Sequence, residues 1–291
     1  MTIFHCQAKA ISRAAGRSAT AAAAYRAGER ITDERTGEVH DYRRKKGIHQ
    51  TQIFLPKGVP NLTRSELWNL AEAAENRKDA KVAREWEVAL PAVLSGRDRM
   101  YLAQHFARAL IERYGVAVDM CIHAPGRKGD DRNHHVHFLT TTRVLRPDGF
   151  GEKTRILDCP RTSGQEVKAV RGIWEQLCNK FLEREGLTER VDRRSLKAQG
   201  IDREPTRHLG PAAAAMERRG VRSLRGDEYR RRNAKSSEEM ELAALQKLNS
   251  GIAAAKQRFE RRKHNNRLEA ERQNRERTAH RRAENKQGMS R

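Results

Sequence analysis

The sequence predicts an α+β fold: an antiparallel sheet with flanking helices, followed by a basic, helical or partly disordered C-terminal extension. Three observations lead there. Strand-like alternation and capped helical stripes are mixed along the first 190 residues, as in an antiparallel sheet with helices packed on it. Apolar periodicity fades from about Val191 onward. The 291 residues are 37% hydrophobic and 34% charged, so a real core is expected in part of the chain and a solvated segment in the rest.

Taken in order, residues 2–9 read as a short strand with Phe4 and Cys6 on one face and His5 and Gln7 on the other. After a Gly/Ser/Arg loop, Ser18 caps a helix through the alanine-rich run Ala19–Ala27, which stops near Gly28. Residues 30–50 read as polar connections around a turn at Thr36-Gly37, and Thr51–Leu55 as a strand ended by Pro56. Thr63–Glu66 matches a capping box and opens a helix with Leu67, Leu70 and Ala71 as its stripe. Arg84–Leu90 alternates, with Glu85, Glu87 and Ala89 on one face and Trp86, Val88 and Leu90 on the other. A helix from Ser95 and Asp98 carries Leu102, Phe106, Ala109 and Leu110 and ends at Gly115. Val116–His123 and His134–Val144 are the next two strands, joined by a charged, Gly-containing loop. Ser163–Glu166 looks like a second capping box, ahead of a helix with Val167, Val170, Trp174, Leu177 and Phe181 inward.

Sixty Lys and Arg against 38 Asp and Glu give a formal net charge of +22, which implies a polyanionic partner. Nucleic acid is the leading candidate. No long apolar run or lipidation motif supports membrane insertion, and no GxxxxGK[ST] loop supports a nucleotide-driven motor. The N-terminus lacks a signal-peptide pattern, and Cys6, Cys121, Cys159 and Cys178 are scattered like buried thiols of a reducing cytoplasm.

The strongest chemical signal is His135-Val136-His137. On a strand the two histidines share a face while Val136 enters the opposite layer. His123 ends the preceding strand, and a hairpin would bring it beside the pair as a third imidazole ligand; ordinary packed or surface histidines are the alternative. Such a set fits Zn, Mn, Ni or Co by ligand type, and Mg with help from a carboxylate and a phosphate oxygen; the ion expected is divalent, Mg or Mn first, with Zn, Ni or Co also admissible. Glu85 or Glu87 could fix a ligand's tautomer, or simply be solvated charge; Asp130 and Asp131 read as loop residues. Tyr25, in SATAAAAYRAGER, has neighbours small enough to admit a polymer backbone, with Arg26 and Arg30 available to phosphates; read alone it is a packing tyrosine. A free phenol has a pKa of about 10 and needs help to attack at neutral pH. Tyrosine plus metal can cut DNA while keeping the bond energy in a phosphotyrosine ester.

With those residues assembled, the chain resembles the MobA/MobL family of plasmid mobilisation relaxases, within the HUH (His-hydrophobe-His) endonuclease superfamily. IFHCQAKAISRAAGRSATAAAAYRAGER, REWEVALP, IHAPGRKGDDRNHHVHFLTTTR and RSLKAQGIDREPTRHLGP carry the resemblance. It covers roughly residues 1–215, the expected relaxase domain, and leaves 216–291 as a basic tail. The resemblance implies that Tyr25 attacks a phosphate at an origin of transfer and becomes linked to the 5′ end. It implies that His123, His135 and His137 bind the metal, and that Glu87 or Glu85 supports that site or acts in proton transfer. Many relatives have proline before the HUH core; here His134 stands in that place. Expected partners are the origin DNA, as a hairpin with adjacent single strand, auxiliary relaxosome proteins and a type IV secretion coupling protein. The expected location is the bacterial cytoplasm, with passage into a recipient cell alongside the DNA. A rolling-circle replication initiator or transposase is the competing enzyme, disfavoured because those relatives typically place their tyrosine after the metal motif. A non-enzymatic basic DNA-binding protein is the competing non-enzyme.

Overall fold

The computed structural model describes residues 4–125, 131–201, 205 and 209–231, and scattered positions from 238 to 260. The chain divides into two compact units, Met1–Arg193 and Arg194–Arg291.

The first unit is built on a five-stranded antiparallel sheet. In chain order its strands are β1 (Cys6–Ser12), β4 (Ile48–Phe54), β5 (Lys81–Ala89), β6 (Val118–His123) and β7 (His135–Thr140). In space they run β1-β5-β7-β6-β4. Two small hairpins, β2 (Arg30–Thr32) with β3 (Val39–Asp41) and β8 (Arg143–Arg146) with β9 (Gly149–Lys153), stand apart from it. Helices α1 (Ala19–Ala27), α2 (Arg64–Ala73), α3 (Gly96–Tyr114) and α4 (Pro160–Arg184) complete the unit.

Because directly opposed residues share a face, the strand register sorts the side chains into two layers. Trp86 opposes Phe138, which opposes Met120; Val88 opposes Val136, which opposes Ile122. This apolar face is covered by α3 and α4, and Phe106 packs edge-on against Phe138 and Trp174 with ring centroids 5.1 and 5.0 Å away. On the reverse face, Glu87 opposes His137, which opposes Cys121, and Ala89 opposes His135, which opposes His123. A second cluster covers part of that face, with Ala19, Ala22, Ala23 and Ala24 of α1 packed with Leu67 and Trp68 of α2 and with Leu139 of the sheet. The small alanine side chains let α1 lie close to a polar sheet face that larger residues would hold away.

The helix boundaries follow the capping chemistry closely. Ser18 and Ser95 accept from Ala21 N and Asp98 N, Thr63 and Glu66 form the capping box, and Gly28 and Gly115 take left-handed conformations at the C-caps. Several expectations are corrected. β1 begins at Cys6 and continues to Ser12, because the stretch read as the start of a loop pairs with β5 down to Lys81. On α2, Leu70 is exposed and Trp68 is buried, its indole donating to Asp119 at 3.0 Å. The strand read as His134–Val144 breaks after Thr140, where Thr141 donates to the Arg143 carbonyl and Thr142 to Glu75, and β8 starts a separate hairpin. α4 starts at Pro160 rather than at Ser163, since proline is preorganised for the first helical position. Glu166 then anchors α4 to α3 by accepting from Arg113 and Tyr114.

In the second unit, α5 (Pro211–Arg218) is a helix absent from the sequence reading, and Arg230 pairs with Glu217 and Asp227. The described positions between 238 and 260 are helical. The remainder of the expected tail, and Asp130, lie outside the described residues. Among the described residues no helix is long and apolar enough to cross a membrane.

Candidate functional site

Two adjacent strands bring the three histidines together. His123 is the last residue of β6 and stands opposite His135, the first of β7; His137 follows two residues later on the same face. Ring centroids lie 4.7 to 5.4 Å apart, and each residue offers a ring nitrogen within 4.8 Å of those of the other two.

Each ring has one nitrogen held by an acceptor. His123 Nε2 donates to the Arg26 carbonyl (2.8 Å), His135 Nδ1 to the Asn133 carbonyl (3.1 Å) and His137 Nδ1 to Glu85 Oε1 (2.7 Å). Since these partners only accept, the bonded nitrogen carries the proton and the other nitrogen keeps its lone pair. Burial also favours the neutral rings: it lowers the pKa of His123 to about 4 and lowers that of His135. Three lone pairs on neutral imidazoles, each oriented by a second hydrogen bond, fit a divalent cation.

The site is tied to α1 at two points through Arg26. Its carbonyl receives His123, and its buried guanidinium donates to the Glu85 oxygen that holds His137, at 2.6 Å. Burial raises the Glu85 pKa, but hydrogen bonds from His137 and Arg26 and the Arg26 charge outweigh it and hold the carboxyl well below the usual range. Glu87 Oε2 accepts from Lys9 at 2.5 Å; burial opposes ionisation there, and the Lys9 hydrogen bond and charge overcome it.

Tyr25 immediately precedes Arg26 on α1. Its side chain is half exposed, packs edge-on against Tyr42 with centroids 5.2 Å apart, and its hydroxyl has no hydrogen-bond partner among the described residues. Lys45 lies over the ring, Nζ 3.7 Å from its centroid, and donates to the Tyr25 carbonyl at 2.8 Å. Burial, with the Arg26 charge, lowers the Lys45 pKa.

The structure therefore links His123, His137, Glu85 and Arg26 by hydrogen bonds, sets the His135 ring against the other two imidazoles, and places Glu87 beside them and Tyr25 one residue along α1. Arg26 was expected to meet phosphates, but its guanidinium faces inward because Glu85 and the Ala22 carbonyl engage it. Arg30 is exposed on β2. His134 precedes β7 and uses its carbonyl to accept from Leu90 N. Lys45 was missed by sequence reasoning: in a run of four basic residues, Arg43 to Lys46, nothing local marks one as the partner of a residue twenty positions earlier.

An antiparallel sheet that presents a His-hydrophobe-His pair and a third histidine as a metal-ready cluster defines the class of site. Residues 17–219 match the MobA/MobL family, and the chain belongs to it. It is 45% identical over 270 residues to the Mobilization protein MobL of Acidithiobacillus ferridurans, covering 84% of this chain and 70% of that protein. It is 34% identical over 256 residues to the Conjugal transfer protein TraA of Rhizobium radiobacter, which covers 76% of this chain but only 23% of TraA. Among solved structures, one described as "Molecular Basis of Vancomycin Resistance Transfer in Staphylococcus aureus" is similar at a TM-score of 0.58 and 33% identity, over 66% of this chain and 99% of that one.

Proposed function

We propose that this chain is a conjugative relaxase, which nicks one strand of plasmid DNA at an origin of transfer and later rejoins it. The observation that carries the reading is the trihistidine cluster joined through Arg26 to the helix bearing Tyr25, in a member of the MobA/MobL family.

The Tyr25 phenol oxygen attacks the scissile phosphorus. A P–O bond forms to tyrosine as the bond to the 3′ oxygen breaks, leaving a 3′ hydroxyl and a 5′-phosphotyrosyl ester. The phenol proton is lost and the departing 3′ oxygen gains one. Rejoining is the reverse, attack of a 3′ hydroxyl on the ester. The phosphotyrosine retains the energy of the broken bond, so sealing needs no nucleotide. His123, His135 and His137 would hold the divalent ion, which when bound draws electron density from the phosphate and stabilises developing charge. Mg or Mn suits the phosphate oxygens, and Zn, Ni or Co also suit three imidazoles. Glu85 is a positioning residue, fixing the His137 ring, and Glu87 is the carboxylate left for proton transfer. Lys45 orients the Tyr25 ring and its carbonyl. The basic surface would bind the origin as single strand plus hairpin, and auxiliary relaxosome proteins and a secretion coupling protein would complete the apparatus, in the cytoplasm before transfer. The relaxase domain is proposed to span residues 1–215 and the basic tail 216–291.

The test is incubation of labelled single-stranded origin DNA with the protein and Mg or Mn. A covalent adduct should form with wild type, be lost with Tyr25→Phe, and be lost on chelation. Equal adduct from Tyr25→Phe would remove Tyr25 as nucleophile. No adduct with any candidate origin would favour a DNA-binding role alone.

A further inference from the structure

A cavity of about 530 Å³ runs along the outer side of α1, between the turn that precedes the helix and the β2–β3 hairpin. That volume lies within the roughly 300–1,000 Å³ of small-molecule sites. Ser18, Ala21, Ala22 and Tyr25 form its wall on α1. Their spacing of three and four makes one helical stripe about 10 Å long, small along most of its length and ending on Tyr25.

The opposite wall carries cations and rings. Arg17 has no ion-pair partner among the described residues, and Arg35 is partly exposed, 3.7 Å from Glu72. Arg13 also reaches the cavity, but Glu72 and three backbone carbonyls already engage its guanidinium. Two of the first amides of α1 are engaged, Ala19 N by Glu72 and Ala21 N by Ser18, so the positive charge comes chiefly from side chains. Two acids line the same space. Asp33 accepts from Thr20 and from the Arg35 and Thr36 amides, which makes it the brace of the hairpin turn, and Glu38 is largely exposed.

His40 of β3 is the feature without a structural explanation. Its side chain is 9% exposed, Nδ1 lies 3.6 Å from Glu38, and Nε2 is buried with no hydrogen-bond partner among the described residues. Trp86 Nε1 shares that property, but it sits in the apolar core under α3, whereas His40 lines a cavity beside Tyr42. A buried polar atom without a partner is costly, and in a residue that lines a cavity a bound molecule can supply the partner once the ring turns toward it. Guanidinium groups, a tyrosine ring and an unpartnered imidazole nitrogen together match the phosphate, face and edge of one nucleotide.

We propose that this cavity holds one nucleotide of a single DNA strand next to the phosphate attacked by Tyr25. Its phosphate meets Arg17 and Arg35, its base lies beside Tyr42, and His40 Nε2 hydrogen-bonds the base edge. The assignment rests on the reading of Tyr25 as nucleophile for its place in the reaction, but the binding itself can be measured separately. His40 thereby becomes a residue that selects the base at one position of the origin.

The experiment measures fluorescence anisotropy of the full chain with labelled single strands of about 12 nucleotides, as homopolymers of each base and as an abasic strand. Arg17→Ala and Arg35→Ala should weaken both kinds of strand. His40→Ala should weaken base-bearing strands by roughly threefold to tenfold, unequally among the bases, and leave the abasic strand unchanged. His40→Gln, which keeps a hydrogen-bonding group, should restore part of the loss. A melting temperature at or above wild type for His40→Ala excludes misfolding as the cause. The proposal is overturned if His40→Ala binds every strand like wild type, or weakens base-bearing and abasic strands alike. It is also overturned if free dAMP binds in a His40-dependent way while strand binding is indifferent to His40. Adduct formation by wild type and Tyr25→Phe on origin DNA is scored in parallel, so failure of the nicking reading and failure of the subsite give different results.

Discussion

Glu85 serves two unlike partners through one oxygen, His137 Nδ1 at 2.7 Å and Arg26 Nε at 2.6 Å. Replacing it therefore does more than remove a charge. Glu85→Ala would leave the Arg26 guanidinium buried without its counter-ion and free the His137 ring to turn. Metal affinity measured by calorimetry is expected to fall by about 10- to 100-fold, as for other carboxylates that orient a ligand. Lys45 allows a contrasting test, since it touches Tyr25 but none of the three imidazoles through a hydrogen bond. A cation over an aromatic ring contributes about 0.5–2 kcal/mol, so Lys45→Met should slow nicking by a few-fold to about 30-fold at unchanged metal affinity. Lys45→Arg should recover part of the rate. A metal affinity that falls with the rate would show that Lys45 acts on the cluster instead.

Among the elements, the contact between α3 and α4 rests on an ionised carboxylate and so depends on pH. Glu166 accepts from Arg113 Nε at 2.5 Å and from the Tyr114 hydroxyl at 2.6 Å, and the Arg113 hydrogen bond holds its pKa below the ordinary value. A carboxyl with a depressed folded pKa adds stability above its unfolded value, about 4.3, and loses it as pH falls through the folded one. The melting temperature should thus decline below about pH 4.3, and Glu166→Gln should flatten that decline while lowering stability at neutral pH. An unchanged acid limb in the variant would remove Glu166 as its source. At the same scale, the termini of α1 to α3 were legible because capping is local chemistry: Ser18, Thr63 and Ser95 bond amides three residues on. The β2–β3 and β8–β9 hairpins were not read, because strands of three to five residues carry too little alternation to stand out.

For the whole molecule, the sheet separates two tasks. One face is an aromatic and aliphatic core, and the other is a polar surface held against the alanines of α1 and the side chains of α2. Phe106 lies at the centre of the first, so Phe106→Ala should cost about 3–5 kcal/mol, read by urea unfolding. A change under about 1 kcal/mol would place the weight of the core elsewhere. The net charge of +22 makes the second task dependent on ions in solution. For single-stranded DNA, log affinity should fall with log salt by about 0.7 per phosphate contacted. A slope near zero would mean that the charge excess does not lie where the strand binds.

The layering of the sheet and the shared face of His135 and His137 were legible in the sequence. Period-2 alternation in REWEVAL and HVHFL places acids and histidines on one face and Trp86, Val88, Val136 and Phe138 on the other, since a strand has only two faces. The resemblance carried by its motifs also named Tyr25. Which groups those residues meet is set by long-range packing. That Glu85 rather than Glu87 holds His137, that Arg26 turns inward to Glu85, and that Lys45 covers Tyr25 depend on how closely α1 and the turn after β3 approach the sheet. Those partners lie 20 to 59 residues apart in the chain, and no local periodicity encodes contacts at that separation. The unpartnered nitrogen of His40 belongs to the same category: the sequence shows a histidine in a polar stretch, and only the fold buries it on the wall of a cavity.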